Sequence, residues 1–254
     1  MLKGFLLQLQ FLTRIPAPLS VEFDEDSFSR GVIFAPVVGL LIGLIIAGIY
    51  ILAGFTGRPV IAVLAALVAE IIITGGLHLD GLADTFDGIF SNRPREEILR
   101  IMKDSRIGTN GTLSLILLII SKIGLLLIIN KGNIIPCLIM MPVLSRMNIA
   151  WTAGISTYAR KEKSPAASIV NNTGVIKIII ATFISAVPCA ILLKLASVPV
   201  IIALIVFVIL FTIYVEKKIG GITGDVIGAV IELSELVFLF TFIVFKSAAY
   251  TILS

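Results

Sequence analysis

Charge is scarce in this sequence: Asp, Glu, Lys and Arg make up 14% of its 254 residues, while 58% are hydrophobic and the mean hydropathy is +1.10. A soluble domain has no use for so much apolar surface, whereas a helix crossing a hydrocarbon core needs about 20 such residues. Cysteine is rarer still. Cys137 and Cys189 both sit in apolar runs with no CxxC or zinc spacing, so they read as small buried hydrophobes and not as a disulfide framework. Histidine occurs once, at His78, so any histidine chemistry is confined to that position. The net charge of +4 calls for no nucleic-acid partner, since basic loops on one membrane face account for it. The dyad alternation of a barrel strand is missing as well, which leaves an all-α, polytopic integral membrane bundle.

What is present is a series of long apolar stretches, at about 31–54, 59–78, 112–130, 134–156, 174–194, 197–215 and 225–247. They predict about seven transmembrane helices within a single membrane domain, 1–254. Residues 2–12 form a short apolar helix that Pro16 and Pro18 end, and this segment, which lacks a small-residue cleavage site, is expected to be retained. Lys and Arg concentrate in the N-terminal segment and before the third, fifth and seventh stretches, as with Arg93, Arg95, Arg100, Lys103 and Arg106. Basic loops favour the cytoplasm, so the N-terminus is expected inside the cell membrane, the C-terminus outside, and the long polar segments on the cytoplasmic face.

The richest of these segments is 78–111, a candidate catalytic stretch. It carries Asp80, Asp84 and Asp87 at offsets of four and three, which share one helix face. Three like charges on one face repel. A divalent cation such as Mg²⁺ or Mn²⁺ removes that conflict, and carboxylate oxygens suit it. His78 stands two residues before Asp80, where it could act as general base or metal ligand. Further on, Asp104 and Arg106 flank Ser105, and Gly108 and Gly111 precede the next helix. Glycines there let backbone amides approach an anion, so Lys103, Arg106, Gly108 and Gly111 are candidate phosphate contacts. A second acidic segment, 216–235, enters the last helix with Asp225, Glu232 and Glu235 on one face. Both segments contain Gly-Gly followed by Asp, at Gly75-Gly76…Asp80 and Gly220-Gly221…Asp225, and the two acidic faces could share a metal site. Within the bilayer, Glu70 is expected to pair with Lys122 or Arg146.

GGLHLDGLADTFDG at Gly75–Gly88, MKDSRIGTNG at Met102–Gly111, FLTRIP at Phe11–Pro16 and GGITGDVIGAVIELSE at Gly220–Glu235 together resemble the cobalamin synthase family, the adenosylcobinamide-GDP ribazoletransferases. The motifs run from one end of the chain to the other in the family's order, without a break in the principal one. The resemblance implies that adenosylcobinamide-GDP is joined to α-ribazole or α-ribazole 5′-phosphate with loss of GMP, and that Mg²⁺ is required. It makes Asp80, Asp84, Asp87 and Asp225 the expected metal ligands, with Asp104 a further one. His78 would activate the ribazole hydroxyl, unless a carboxylate does so, and Arg106 with the Gly108–Gly111 turn would hold phosphate. Its expected partners are those two substrates, the lipid bilayer, other corrinoid-pathway enzymes and a second copy of the chain.

Two other readings compete. The Asp spacing is similar to that of CDP-alcohol phosphotransferases, but Leu82-Ala83-Asp84 is followed by Thr85-Phe86 and not by that group's Ala-Arg. An ion-coupled transporter would account for Glu70, Lys122 and Arg146, yet the acidic clusters lie toward a membrane edge and not at the midplane.

Overall fold

Apolar residues that must satisfy their own backbone in lipid have one local solution, and the chain adopts it throughout. The computed structural model describes residues 1–16 and 21–253, with side chains as far as Lys246, so Pro18 lies outside the described residues. In order come α1 (Leu2–Leu12), α2 (Glu25–Arg30), α3 (Ala35–Gly54), α4 (Pro59–Thr74), α5 (Leu77–Ile89) and α6 (Arg95–Ile101). They are followed by α7 (Thr109–Ile128), α8 (Lys131–Gly154), α9 (Pro165–Asn172), α10 (Val175–Leu193), α11 (Ser197–Ile219) and α12 (Gly224–Leu253). Local signals set several starts. Pro59 and Pro165 occupy first helical positions, where the missing N–H costs nothing. Asp24, Asn130 and Ser164 cap the next amides with their side chains.

Among the described residues, five helical stretches are long and apolar enough to cross a membrane: Glu25–Gly54, Thr109–Ile128, Lys131–Gly154, Val175–Ile219 and Gly224–Lys246. The pair α4 and α5 makes a sixth only when taken together, and it is bent by 85°. This count takes Val175–Ile219 as one stretch of 45 residues although it holds two helices, α10 and α11, which the sequence reading of about seven counts separately. Within it α10 and α11 meet at the short turn Lys194–Ala196, where Lys194 takes φ 54 and ψ −128. Both far ends return to one side of the bundle. Lys177 Nζ donates to the Ser29 carbonyl at 2.9 Å and Arg95 Nε to the Ile219 carbonyl at 2.7 Å.

At the centre stands α8, buried along most of its length although it holds Arg146, Asn148 and two prolines. Helices α3, α10, α11 and α12 surround it. The outward faces carry exposed Leu44, Ile72, Ile120, Phe183, Ile202 and Phe240, the side chains that meet lipid. Polar groups turn inward. Lys122 of α7 reaches Glu232 of α12 at 2.8 Å and Glu70 of α4 at 3.6 Å, and also pairs with Glu235. Arg146 pairs with Glu235 and lies 3.8 Å from Glu70. The expected partners of Glu70 are therefore both present. Glu232 and Glu235, read as one acidic face with Asp225, belong instead to this internal cluster, because two cations in a dry interior draw in every carboxylate within reach.

The 85° corner between α4 and α5 is made by Gly75 and Gly76, at φ 63 and 70. A side chain in that left-handed region clashes with its own carbonyl. As a result the 13 residues of α5 lie across the end of the bundle, outside its spanning part. A Cβ on Gly76 would meet no atom within 4 Å, so replacing it tests backbone strain alone. Gly76→Ala should lower stability by about 1 kcal/mol, with Gly76→Asn losing less, in thermal unfolding of detergent-solubilised protein. Lys122→Met strips the buried carboxylates of a partner and should lower it by about 3 kcal/mol or more. Equal melting temperatures for Lys122→Met and wild type would mean that the cluster is not holding the helices together.

Candidate active site

α5 is positioned by what lies beneath it. Leu82 packs with Leu118 of α7 and Ala229 of α12 in a small apolar cluster. Gly81 and Gly228 let the backbones of α5 and α12 nearly touch: a Cβ on Gly81 would come within 2.8 Å of the Asp225 carbonyl, and one on Gly228 within 3.3 Å of Gly81 Cα. A second glycine corner, Gly220 at φ 71 and Gly221 at φ 149, turns the chain from α11 into α12. The two corners aim two helix starts at each other, which brings Asp80 and Asp84 of α5 to Asp225 in the first turn of α12.

These three carboxylates line an open, polar cavity of about 760 Å³. Asp104 completes the acidic side, and Arg14, Lys103 and Arg160 supply positive charge. Asp80 is exposed, Asp84 half-buried. Burial, followed by the charges of Asp80, Asp225 and Asp87, pushes the Asp84 carboxyl from its ordinary 3.8 up to about 7, while Arg160 opposes the shift. Arg160 donates to Asp225 Oδ2 at 2.9 Å, and Thr223 donates to the same oxygen at 3.1 Å. The loop bearing Arg160 is held in register by a bridge of Tyr158 to Ile222 and by Arg95, which donates to the carbonyls of Ile219 and Ala159.

The cavity can attract a polyphosphate to its cations and a hard cation to its carboxylates. As the side chains stand, no group of three or more His, Cys, Asp or Glu among the described residues is drawn together tightly enough to hold a metal ion. The donor type fits Mg²⁺ nonetheless. Four carboxylates share one cavity, and the Asp84 carboxyl, raised first by burial and then by its acidic neighbours, feels a repulsion that a cation would relieve.

Several residues singled out from sequence take other places. Asp87 accepts the amides of Gly108 and Gly111, at 2.7 and 2.8 Å, one on each oxygen. Those amides are thus engaged by a carboxylate in this structure and not open to phosphate. The glycines are needed because a Cβ at either position would overlap Asp87. Asp87 ties the end of α5 to the start of α7. Arg106 forks onto Asp104 at 3.0 and 2.7 Å and holds its carboxyl down to about 2, while remaining 85% exposed. Asp104, not Arg106, is on the cavity wall. Lys103 lines the cavity and pairs with Glu162. His78 is buried, its Nε2 has no partner and is closed off from water, and the residue lines a separate, mainly apolar cavity. Sequence reasoning missed Arg14 and Arg160 as site residues. Arg14 lay within the FLTRIP motif, a signal that was available; Arg160 stood in a polar loop with no motif of its own.

Over residues 4–243 the chain matches the family described as Cobalamin-5-phosphate synthase. A protein named adenosylcobinamide-GDP ribazoletransferase from Acetivibrio thermocellus is 41% identical over 246 residues, 96% of this chain and 99% of that one. Proteins of the same name from Alkaliphilus oremlandii, 41% identical over 97% and 99% of the two chains, and from Clostridioides difficile, 39% identical over 94% and 96%, are similar throughout. No solved structure matches the chain.

Because the fold raises the Asp84 pKa, the native state binds this proton more tightly than the unfolded chain. Its contribution to stability is full below the ordinary carboxylate value and is lost as pH rises through about 7. In metal-free detergent solution, the melting temperature of wild type should fall relative to Asp84→Asn between about pH 4 and about pH 7, then run parallel above. Parallel curves across the whole range would refute the raised pKa of Asp84.

Proposed function

The chain belongs to the cobalamin-5-phosphate synthase family, and we propose that it is a membrane-embedded adenosylcobinamide-GDP ribazoletransferase. It joins adenosylcobinamide-GDP to α-ribazole or its 5′-phosphate and releases GMP. The observation that carries this reading is the open cavity whose lining brings Asp80, Asp84 and Asp225 together with Arg14, Lys103 and Arg160. It supplies both charge signs that an alcohol attacking a pyrophosphate requires.

In the reaction, a ribose hydroxyl oxygen forms a bond to the phosphorus that carries the cobinamide. The bond from that phosphorus to the GMP oxygen breaks, and the electron pair leaves with GMP. Arg14, Lys103 and Arg160 hold the pyrophosphate and oppose the charge that gathers on the leaving oxygen. Asp80, exposed at the cavity wall, takes the hydroxyl proton. Asp84 and Asp225 would hold Mg²⁺ beside it, with Asp104 near the rim, and the ion when bound supplies Lewis-acid neutralisation of the phosphoryl oxygens. Arg160 must then release Asp225, moving from carboxylate to phosphate. Asp87 serves the site by fixing α5, and Arg106 by fixing the loop that holds Asp104. The cavity opens on the side where Lys and Arg concentrate, so it faces the cytoplasm with the N-terminus on the same side.

Purified protein in detergent, given both substrates and Mg²⁺ without any membrane gradient, should release GMP and form the corrinoid product. Asp84→Asn should lower the rate by about 100-fold or more, and a chelator should abolish it. Failure of well-folded wild type to give product in lipid would overturn the reading.

A further inference from the structure

Beside the open cavity runs a shallower groove of about 450 Å³, between the α6 segment and the loop 159–162. Five cations line it, Arg95, Arg100, Lys103, Arg160 and Lys161, against two carboxylates, Glu96 and Glu162. Most of the cations have partners. Arg100 forks onto Glu97 at 2.9 and 2.6 Å, Lys103 pairs with Glu162, and Arg160 donates to Asp225. Lys161 is exposed and forms no ion pair among the described residues. Ion pairs as exposed as those of Arg100 and Lys103 hold weakly, since water serves each charge nearly as well. The groove is also prebuilt. Arg95 donates to the carbonyls of Ile219 and Ala159, at 2.7 and 2.8 Å, which fixes the 159–162 loop against α6. An anion entering it finds its cations in place and has no loop to order. Lys103 and Arg160 line the open cavity as well. The Arg160 side chain is only 14% exposed and reaches Asp225 at 2.9 Å, so the groove begins one arginine side chain away from that carboxylate.

We propose that this groove is the subsite for a phosphate monoester, the 5′-phosphate of the acceptor, and that Lys161 sets the preference for a phosphorylated over an unphosphorylated acceptor. This rests on the transferase reading above. The reaction brings three phosphorus groups together: two in the pyrophosphate, which the open cavity takes, and one on the acceptor. The third gains nothing at the acidic wall, where Asp80, Asp84 and Asp225 repel a dianion. Nor can it sit far away, because a single ribose separates it from the attacking hydroxyl. The groove meets both conditions, being rich in cations and contiguous with the cavity. A phosphate dianion accepts from several donors at once, and so it competes with the single carboxylates of Glu96 and Glu162 for them.

The test compares kcat/KM for α-ribazole 5′-phosphate with that for α-ribazole, at fixed ionic strength, in wild type, Lys161→Gln and Lys163→Gln. Lys163 is a second exposed lysine of the same polar segment that does not line the groove. Wild type should favour the phosphorylated acceptor. Lys161→Gln should reduce that preference by about fivefold or more, whereas Lys163→Gln should keep it. No preference in wild type, an unchanged preference in Lys161→Gln, or an equal fall in both variants would overturn the proposal. The last result would mean that only the general charge of the loop is felt. GMP carries the same phosphate chemistry, so its product inhibition is measured alongside. Weaker inhibition by GMP in Lys161→Gln, with the acceptor preference unchanged, would give the groove to the leaving nucleotide and also overturn the proposal. Absence of product from wild type with either acceptor is a different result, and would defeat the transferase reading itself.

Discussion

The buried ion cluster sets the terms for everything at the end of the bundle. Glu70, Lys122, Arg146, Glu232 and Glu235 come from α4, α7, α8 and α12, and in a dry interior each charge is tolerable only while its partners stay in place. The cluster therefore does more than join four helices. It fixes α4, whose end feeds the corner into α5, and α12, whose first turn carries Asp225. Apolar packing alone would let helices slide in lipid, because hydrocarbon tails are as good a neighbour as leucine. Paired charges restrict that freedom, and so the two halves of the site keep their register.

On that frame the site is assembled by backbone geometry. Glycine pairs at 75–76 and 220–221 turn the chain sharply where a helix would otherwise continue away from the bundle. Gly81 and Gly228 then let α5 and α12 approach closely. The consequence is electrostatically unfavourable: burial, and after it the carboxylates that crowd one cavity, raise the Asp84 pKa. Arrangements that oppose stability in this way are characteristic of functional sites. Here the conflict is relieved in part by Arg160 and in part, on the proposed reading, by Mg²⁺.

Two cavities meet at Asp80 and Asp225, which line both. The open one is wide and charged, and on the proposed reading it takes the phosphorylated substrate. The other is small and mainly apolar.

Much of this was legible in one dimension. Apolar run length dictated helices, because lipid offers the backbone no other partner, and the spacing of Asp80, Asp84 and Asp87 put them on one helix face. The motifs Gly75–Gly88 and Gly220–Glu235 marked the helices that meet at the site, and the intramembrane charges announced a buried network. Three-dimensional contact decided the rest. Asp87 shares the face of Asp84, yet it spends both oxygens on the amides of Gly108 and Gly111. Glu232 and Glu235 follow Asp225 at helical spacing, but lie deep enough to meet Lys122. Arg14 and Arg160 come from segments far apart in sequence to one cavity. The sequence by itself determined which residues are helical, which face they share and where the chain turns, since those depend on local sterics and on solvation by lipid. Only the tertiary structure decided which carboxylate faces solvent, which a cation and which a backbone amide, because that choice depends on neighbours brought in by other helices.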